Sequence, residues 1–231
     1  MIEITNTGVV GWQAAIRGMR NPMNSWSKSD SHTCNCDEGC RMVENGHEPY
    51  NDECDDGKIG FCIGKNDYVL MEKLSESGTD HRKFMRMIVV YADIVAPLYW
   101  WKEYDTYKVG TVANSCSTMH KIHAKAFDMD DFSNEKLDFA GAELLWSVID
   151  KLNEYRRAYL KSGDKDTWYS MIQLLPSSYN QRRTVMLNYE VLANIYHSRK
   201  NHKLDEWHKF CDWIKELPYS KLITGEELQR L

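Results

Sequence analysis

The segment that most constrains the fold of this chain is LLPSSYNQRRTVMLNYEVLANIYHSRKNHKLDEW, residues 174–207. Its apolar residues recur mainly at helical spacing, which predicts helices over residues 181–200 and 204–217. Four polar residues nevertheless stand among these apolar positions: Asn188, Asn194, Arg199 and His202. Buried or half-buried polar groups cost free energy unless they are paired. We therefore interpret the segment as a mainly helical scaffold that binds a polar ligand.

The remaining patterns predict an α+β fold that is rich in helices and has a small, mostly antiparallel sheet. A short strand and a helix over Trp12–Met19 are expected within residues 1–20, and a strand is expected over Met87–Ala96, which is dense in β-branched residues. The other expected helices follow an Asn66-Asp67 N-cap and end at Gly78, run from Pro97 towards Tyr107, and cover Ala140–Leu160 and Asp166–Leu174.

Length and charge narrow the class of protein. A chain of 231 residues can bury one good hydrophobic core, which predicts a single domain over residues 1–231. The net charge of -5 argues against general nucleic-acid binding. No apolar run approaches a membrane span, and MIEITNTGVVGW lacks the regions of a signal peptide. We therefore expect a cytoplasmic protein whose cysteines are thiols or metal ligands.

A polar, acidic insert at about residues 30–62 carries most of the cysteines. The residues that could supply a four-coordinate zinc site there are Cys34, Cys36, Cys40, Cys54 and Cys62, with His32 and His47 nearby. Zinc prefers thiolate and imidazole ligands, and a loop without a core gains stability from such a site. The spacing is irregular and has no paired C-x-x-C motif, so a plain cysteine-bearing surface loop is the alternative. The acidic residues lack the alternating oxygen pattern of a calcium loop.

A second polar region follows the helix that begins after Pro97. In YKVGTVANSCSTMH, residues 107–120, Gly110 lets the chain turn, and a run of small hydroxyl and amide side chains comes next. Such groups suit phosphate or carbonyl recognition. An ordinary loop rich in Ser, Thr and Asn is the alternative interpretation. Cys116 within it is interpreted as a small packed residue, because nothing in the sequence indicates a lowered thiol pKa.

These regions resemble the flavin-dependent thymidylate synthase (ThyX) family. Residues 114–120, NSCSTMH, resemble the Asn-Glu-x-Ser-x-Arg-Tyr end of the family signature. Gly78-Thr79-Asp80-His81 resembles its Gly-His-Glu turn, and Ala96-Pro97 matches the segment that leads into its Arg-His-Arg triplet. The spacing of the family's C-terminal half is kept by Leu175-Pro176, Asn188, Leu192, Asn194, Arg199, His202 and Trp207. The resemblance covers most of residues 66–215 and leaves the insert outside.

The resemblance implies a fold, an activity and partners. The fold is that of the thymidylate synthase-complementing proteins. Members are homotetrameric flavoproteins of nucleotide biosynthesis that hold FAD between subunits. They act as methyltransferases, moving a methylene group from methylenetetrahydrofolate to C5 of dUMP and reducing it with hydride from the flavin, which NADPH recharges. The implied partners of this chain are thus a pyrimidine nucleotide and further copies of itself.

The resemblance also implies roles for individual residues. Arg199 corresponds to an arginine that contacts uracil and stabilises charge developing on it, and Ser117 to a serine near the nucleotide phosphate; these two are the expected catalytic residues. The expected cofactor-binding residues are Arg86, Tyr107, Lys108, Asn114, Asn188, Asn194 and His202. The expected substrate-binding residues are Glu103, Ser117, Gln173, Arg182 and Arg199.

The chain departs from the family at several charged positions. Thr106-Tyr107-Lys108 replaces the Arg-His-Arg triplet, and Ser115 and Met119 replace a glutamate and an arginine. Ile172 or Gln173 stands where another arginine is expected. Arginine clamps phosphate bidentately, and each lost charged hydrogen bond weakens binding by about 1.5–3 kcal/mol. The basic residues that could compensate are Lys102, Lys108, Lys121, Arg182 and Arg183.

Two functions follow from this pattern. One is a divergent enzyme that binds FAD and transfers a one-carbon unit to a pyrimidine nucleotide, dUMP or an analogue. The other is a catalytically altered or inactive oligomeric protein that binds nucleotide or flavin on the same fold. If zinc holds the insert together, the insert would form an interaction loop that adds a binding partner in either case.

Overall fold

The computed structural model describes residues 1–35 and 59–226. The strands are β1 (Glu3–Val10), β2 (His32–Asn35), β3 (Ile59–Cys62), β4 (Val89–Pro97), β5 (Val112–Ser115) and β6 (Asn180–Asn188). The α-helices are α1 (Trp12–Arg20), α2 (Lys65–Glu76), α3 (Leu98–Tyr104), α4 (Phe139–Ser162), α5 (Lys165–Leu174), α6 (Tyr189–Arg199), α7 (Asp205–Glu216) and α8 (Lys221–Thr224). Within these ranges, every helix is too short or too polar to cross a bilayer.

The main sheet has four strands in the order β1-β4-β6-β5. In β4, alternate residues are buried because successive side chains of a strand point to opposite faces; the buried ones are Val90, Ala92, Ile94 and Ala96. β5 is an edge strand whose four side chains are all exposed. The small antiparallel sheet among many helices confirms the predicted α+β class.

Contacts along the chain cluster into two compact units. One contains residues 1–7, 92–108 and 112–185, and the other contains residues 8–91, 109–111 and 186–231. The single domain expected from the chain length stays a prediction.

The core of the first unit lies along α4 and α5. Asp138 caps the start of α4 by accepting the Gly141 N–H at 2.8 Å, and Gly163 ends the helix in the left-handed region. The buried residues of this core are Ile122, Phe127, Phe132, Leu145, Ile149, Leu152 and Met171. Burying side chains of this size stabilises the fold by about 1.5–3 kcal/mol each.

The core of the second unit is built on α6 and α7. Tyr189 at the start of α6 packs edge-on against Trp12 of α1 with ring centroids 5.2 Å apart, and its hydroxyl donates to the Pro218 carbonyl at 2.5 Å. α7 buries the large aromatic side chains of Trp207 and Phe210. These rings fix α6, and therefore the polar residues that α6 carries.

The insert is attached through a short antiparallel pair. β2 pairs with β3 from His32 opposite Cys62 to Asn35 opposite Ile59. Residues 36–58 lie outside the described residues, so the predicted ligands Cys36, Cys40 and Cys54 do as well. Cys62 is half-buried, and the described part of the chain contains no group of three potential metal ligands.

A buried carboxylate anchors the base of this pair. Asp67 accepts hydrogen bonds from Arg20 Nε at 2.5 Å, Ser29 Oγ at 2.6 Å and Ser31 Oγ at 2.6 Å. The predicted Asn66-Asp67 N-cap is therefore wrong, because α2 has already begun at Lys65 and Asp67 points into this cluster. Asp30 instead receives the N–H groups of Asn66 and Asp67 at the start of α2, at 2.8 Å and 3.0 Å.

The predicted helix over residues 181–200 is wrong in its first half. Residues 180–188 form β6, and α6 begins only at Tyr189. In β6, Gln181, Val185 and Leu187 are buried at alternate spacing, which is the period of a strand. The other expected elements appear as α1, β4, α3, α4, α5 and α7, with ends shifted by a few residues.

Candidate functional site

Asn188 stands where β6 ends and α6 begins. Its Oδ1 accepts the Val191 N–H at 3.0 Å, which caps the helix, and its Nδ2 donates to the Gly110 carbonyl at 3.2 Å. Gly110 has φ +78°, and a Cβ there would lie 2.8 Å from Asn188 Nδ2. The buried Asn188 side chain thus fixes the start of α6 and the turn at Gly110.

The buried carboxylate of Glu190 pairs with two arginines beside α6. Glu190 accepts hydrogen bonds from Arg86 at both oxygens, through Nε and, at 3.2 Å, through Nη2. Arg82 Nε lies 3.7 Å from the same carboxylate. Hydrogen bonding to Glu190 raises the pKa of Arg86, which stays charged. Arg86 keeps 56% of its side chain exposed, so its cation faces solvent as well as Glu190.

Asn194 extends this cluster by one helical turn. Arg82 Nη2 donates to Asn194 Oδ1 at 3.1 Å, so the Asn194 amide nitrogen remains a donor on an exposed side chain. Within the described ranges, Arg82 Nε is buried without a hydrogen bond. Arg82 Nε still lies within ion-pairing distance of Glu190, so the donors open to a ligand are the exposed amide of Asn194 and the solvent-facing part of Arg86.

Arg199 and His202 meet at the other end of α6, around Trp207. The Arg199 guanidinium lies 4.8 Å from the centroid of the Trp207 ring, and the His202 ring packs edge-on with its centroid at 6.3 Å. The Leu204 N–H donates to His202 Nδ1 at 3.2 Å. Neutral His202 therefore carries its proton on Nε2. Trp207 fixes the planes of both side chains.

The predicted residues of the second unit are thus brought together along one element. Asn188 begins α6, Asn194 lies within it, and Arg199 ends it, while Arg86 joins it through Glu190. Arg82 and Glu190 were not predicted. The spacing of Arg82 and Arg86, four residues apart, was the available signal.

In the first unit, the residues that replace the Arg-His-Arg triplet terminate α3. The Thr106 hydroxyl donates to the Glu103 carbonyl at 2.7 Å, and the Tyr107 N–H donates to the Tyr104 carbonyl at 3.0 Å. Glu103 and Tyr107 are half-buried, and Lys108 is exposed. Lys108 is therefore available as a point charge.

Ser117 lies in an exposed turn after β5. Its Oγ accepts the His120 N–H at 2.8 Å and the Met119 N–H at 3.2 Å, so the hydroxyl proton remains available for a ligand. Asn114 is exposed on β5. The prediction that Cys116 is packed is wrong, since the thiol is exposed; the edge position of β5 leaves its neighbours nothing to pack against.

Arg182 and Gln173 lie on two other elements, β6 and α5, that contact this turn. The Arg182 carbonyl in β6 accepts the Cys116 N–H at 2.9 Å, and the Arg182 side chain is exposed. Gln173 is exposed on α5, the helix whose Trp168 Nε1 donates to the Met119 carbonyl at 3.0 Å. The backbone around Ser117 is therefore held by both β6 and α5.

Arg183, named above among the basic residues that could compensate for the missing arginines, is half-buried in the same unit. The Arg183 guanidinium stacks on Trp101 at 4.2 Å from the ring centroid, with Nη1 donating to Asp105 at 2.7 Å and Nε donating to Gln181 Oε1 at 3.0 Å. The Gln181 amide donates onward to the Cys116 carbonyl at 2.7 Å. No local pattern reveals this cluster, because its partners are far apart along the chain.

No protein-family model matches the sequence, and no curated protein matches it significantly. Among solved structures, ThyX from Helicobacter pylori with FAD and dUMP is similar, with a TM-score of 0.64 and 13% identity over 97% of this chain and 98% of that one. A second Helicobacter pylori ThyX complex with the same ligands has a TM-score of 0.65 and 14% identity over 96% and 98% of the two chains.

A methylase has the same architecture. The UMP/dUMP methylase PolB from Streptomyces cacaoi, bound with 5-Br dUMP, has a TM-score of 0.56 and 13% identity, covering 97% of this chain and 94% of that one. At these identities the likeness is one of fold. The chain has a divergent form of the fold of the flavin-dependent thymidylate synthase ThyX.

Proposed function

We propose that this chain is a divergent flavin-dependent thymidylate synthase-like enzyme. It binds FAD and a pyrimidine nucleotide, dUMP or an analogue, and transfers a one-carbon unit to C5 of uracil. Methylenetetrahydrofolate as the donor, NADPH as the reductant, a homotetrameric assembly and a cytoplasmic location belong to the same proposal. It is supported by a fold shared almost end to end with ThyX and PolB.

The observation that carries the proposal is the row of donors along α6. Asn194 is joined to Arg82, Arg86 is held by Glu190, and Arg199 is held by Trp207. Asn194 is exposed and Arg86 keeps 56% of its side chain exposed, so both present donors to solvent beside Glu190. Such an arrangement supports a site that binds an acceptor-rich ligand.

The donor set fits FAD. The acceptors of that cofactor are the phosphate oxygens and the ring carbonyls, and the chain offers charged and amide donors, including the exposed amide of Asn194 and the partly exposed guanidinium of Arg86. Arg82, Arg86, Asn194 and His202 would hold the cofactor, and Asn188 would act through the start of α6. When bound, FAD supplies hydride for reduction of the transferred carbon.

Arg199 is the residue proposed to act on the nucleotide. Its planar guanidinium can fork onto the uracil ring. The Trp207 face holds it in one orientation before the ligand arrives, so positive charge is in place where negative charge develops as C5 becomes nucleophilic. Ser117, whose hydroxyl proton can turn to an acceptor, is proposed to bind the nucleotide phosphate together with Lys108 and Arg182.

One observation favours the second function, a catalytically altered or inactive binding protein. The Asn188 side chain uses its oxygen and its amide nitrogen in hydrogen bonds within the protein, and Thr106 and Tyr107 terminate α3. Asn188, a position that matches the family, and the residues that replace the family triplet therefore have structural roles in this chain. Flavin or nucleotide binding without turnover is the outcome expected under this alternative.

The proposal is tested by the visible absorption spectrum of purified protein before and after addition of FAD. Flavin bands near stoichiometric occupancy are expected, with weaker binding in Arg82→Gln. The matched control is Arg157→Gln, which removes an exposed arginine of α4. A folded protein that takes up no flavin would contradict the proposal. Flavin binding with dUMP or UMP affinity but no methylation would favour the alternative.

A further inference from the structure

The strongest unassigned feature of the first unit is the cluster around Arg183. Only 14% of the Arg183 side chain is exposed. One face of the guanidinium lies on Trp101, and two of its nitrogens are committed to Asp105 and Gln181. A cation this shielded from water needs such partners to offset its lost hydration. The cluster is therefore a built structure rather than a solvated surface charge.

The partners of Arg183 lie at the two ends of one stretch of chain. Asp105 follows the last residue of α3, and Cys116 follows the last residue of β5. Arg183 reaches Asp105 directly and reaches Cys116 through the Gln181 amide. β6 supplies a further tie, because the Arg182 carbonyl accepts the Cys116 N–H. Residue 117, the proposed phosphate ligand, comes immediately after the second tethered point.

We propose that Arg183 is a positioning residue for the nucleotide phosphate. It holds Asp105 and, through Gln181, Cys116, and so fixes the Ser117 turn in the conformation in which its hydroxyl meets the phosphate. This inference rests on the proposed function for the identity of the ligand. The restraint that Arg183 places on Asp105 and, through Gln181, on Cys116 is called the tether, and it follows from these contacts whatever the ligand is.

The chemistry of arginine suits this position better than that of lysine. The planar fork presents Nη1 and Nε to two acceptors at once and leaves its face for an indole. A lysine could pair with Asp105 but could not also bind Gln181 Oε1 in that plane. Since Gln181 orients its amide towards Cys116 while Arg183 holds its oxygen, losing the fork also frees the second tether.

The test compares Arg183→Leu, Arg183→Lys and Arg157→Leu with wild type, the last as the matched control on α4. Amide hydrogen exchange over residues 112–117 measures the tether, and exchange around Ile149 in the α4 core reports the global fold. Affinities for dUMP and for deoxyuridine separate contacts to the phosphate from contacts to the base and sugar. If Arg183→Leu does not fold, the same measurements on Arg183→Lys decide.

We expect faster exchange at residues 112–117 alone, and dUMP affinity reduced by about tenfold or more, the worth of one charged hydrogen bond. Deoxyuridine affinity should stay unchanged. Unchanged amide exchange at residues 112–117 in a folded Arg183 variant would show that Arg183 does not restrain this segment. Equal losses for dUMP and deoxyuridine would overturn its link to the phosphate. A wild-type protein that binds no dUMP would refute the proposed function and the phosphate role together, while the exchange data would still decide on the tether.

Discussion

The guanidinium of Arg199 lies 4.8 Å from the centroid of the Trp207 indole. Trp207 is fully buried, with its ring edge-on to Phe210. The Arg199 guanidinium therefore lies on a ring whose orientation is fixed by packing. Cation–π contacts of partly desolvated groups contribute about 0.5–2 kcal/mol. Arg199 gains from this contact an orientation that an exposed arginine at a helix end would lack.

Arg199→Ala should abolish turnover and leave the fold intact, because the residue is half-exposed and its packing partner remains buried. Arg199→Lys should also lose most activity, since an ammonium cannot fork onto the uracil ring. The measurement is turnover with dUMP, alongside circular dichroism and the flavin spectrum. Full activity in either variant would remove Arg199 from the site.

Asp67→Asn should lower the free energy of unfolding at pH 7 by about 3–5 kcal/mol, because Arg20 would be left as a buried, uncompensated cation. Burial alone raises the pKa of Asp67, but hydrogen bonds from Ser29, Ser31 and Arg20 outweigh it and hold the pKa below 3.8. Ionised Asp67 thus stabilises the fold above about pH 3.8, and that contribution is lost as pH falls through the lowered pKa.

Urea unfolding at several pH values measures this effect. The gap between wild type and Asp67→Asn should be full at neutral pH and should close under acid conditions. Asp80→Asn, which changes a carboxylate that is 92% exposed, should shift stability by no more than about 0.5 kcal/mol. A pH-independent gap would mean that the charge of Asp67 is not what stabilises the cluster.

Gly110→Ala should destabilise the protein more than Gly163→Ala. Both glycines have positive φ, which costs an alanine about 1–2 kcal/mol. A Cβ at Gly110 would also meet Asn188 Nδ2 at 2.8 Å, whereas nothing lies within 4 Å of one at Gly163. The difference in unfolding free energy between the two variants measures the contact with Asn188. Equal losses would show that the Asn188 side chain moves aside freely.

Restoring arginine at Lys108 and Met119 should raise dUMP affinity. Both side chains are exposed, and the Met119 N–H already bonds to Ser117 Oγ. Each new charged contact to phosphate should improve binding by about tenfold or more. Leu160→Arg, an added cation at an exposed position of α4, serves as the control in the same titration. No gain over that control would place the phosphate elsewhere.

Alkylation at pH 8 should label Cys116 quickly and Cys211 only on unfolding. Cys116 is exposed. Burial raises the pKa of the Cys211 thiol to about 11, so very little reactive thiolate is present at that pH. Peptide mapping by mass spectrometry resolves the two sites. Labelling of Cys211 at the same rate as Cys116 would contradict the packing of α7.

The elements that the sequence predicted well are those whose pattern is local and sustained. α4 shows the 3.6-residue period over many turns, and β4 is a β-branched run. β6 was missed because its alternation over residues 181–187 runs directly into the helical period of α6. The insertion of Arg183 on its inward face also masks the alternation. Edge strand β5, with all side chains exposed, has no burial pattern to detect.

The site residues stay predictions. Asn194, Arg199 and His202 lie on one helix and its following turn, and the family resemblance rather than helical periodicity grouped them. Arg82, Glu190 and Arg183 form hydrogen bonds with partners that lie 78 to 112 positions away along the chain. Such pairs depend on the tertiary fold, which no local pattern encodes. The Asn66-Asp67 N-cap was predicted wrongly for the same reason. Asp67 accepts a hydrogen bond from Arg20, 47 positions away, instead of capping its own helix.

The pairing of Asn35 with Ile59 brings the two ends of the cysteine-bearing insert to adjacent places on β2 and β3. Chain geometry at that junction is the geometry of a hairpin, for which a two-residue Asn-Gly turn is sufficient. A two-residue turn between Asn35 and Ile59 should therefore close the same strand pair while keeping Asp30 and Ser31, which bond to Asp67 and the start of α2. The register of β2 with β3 thus marks the two positions between which the chain can be shortened or a tag inserted.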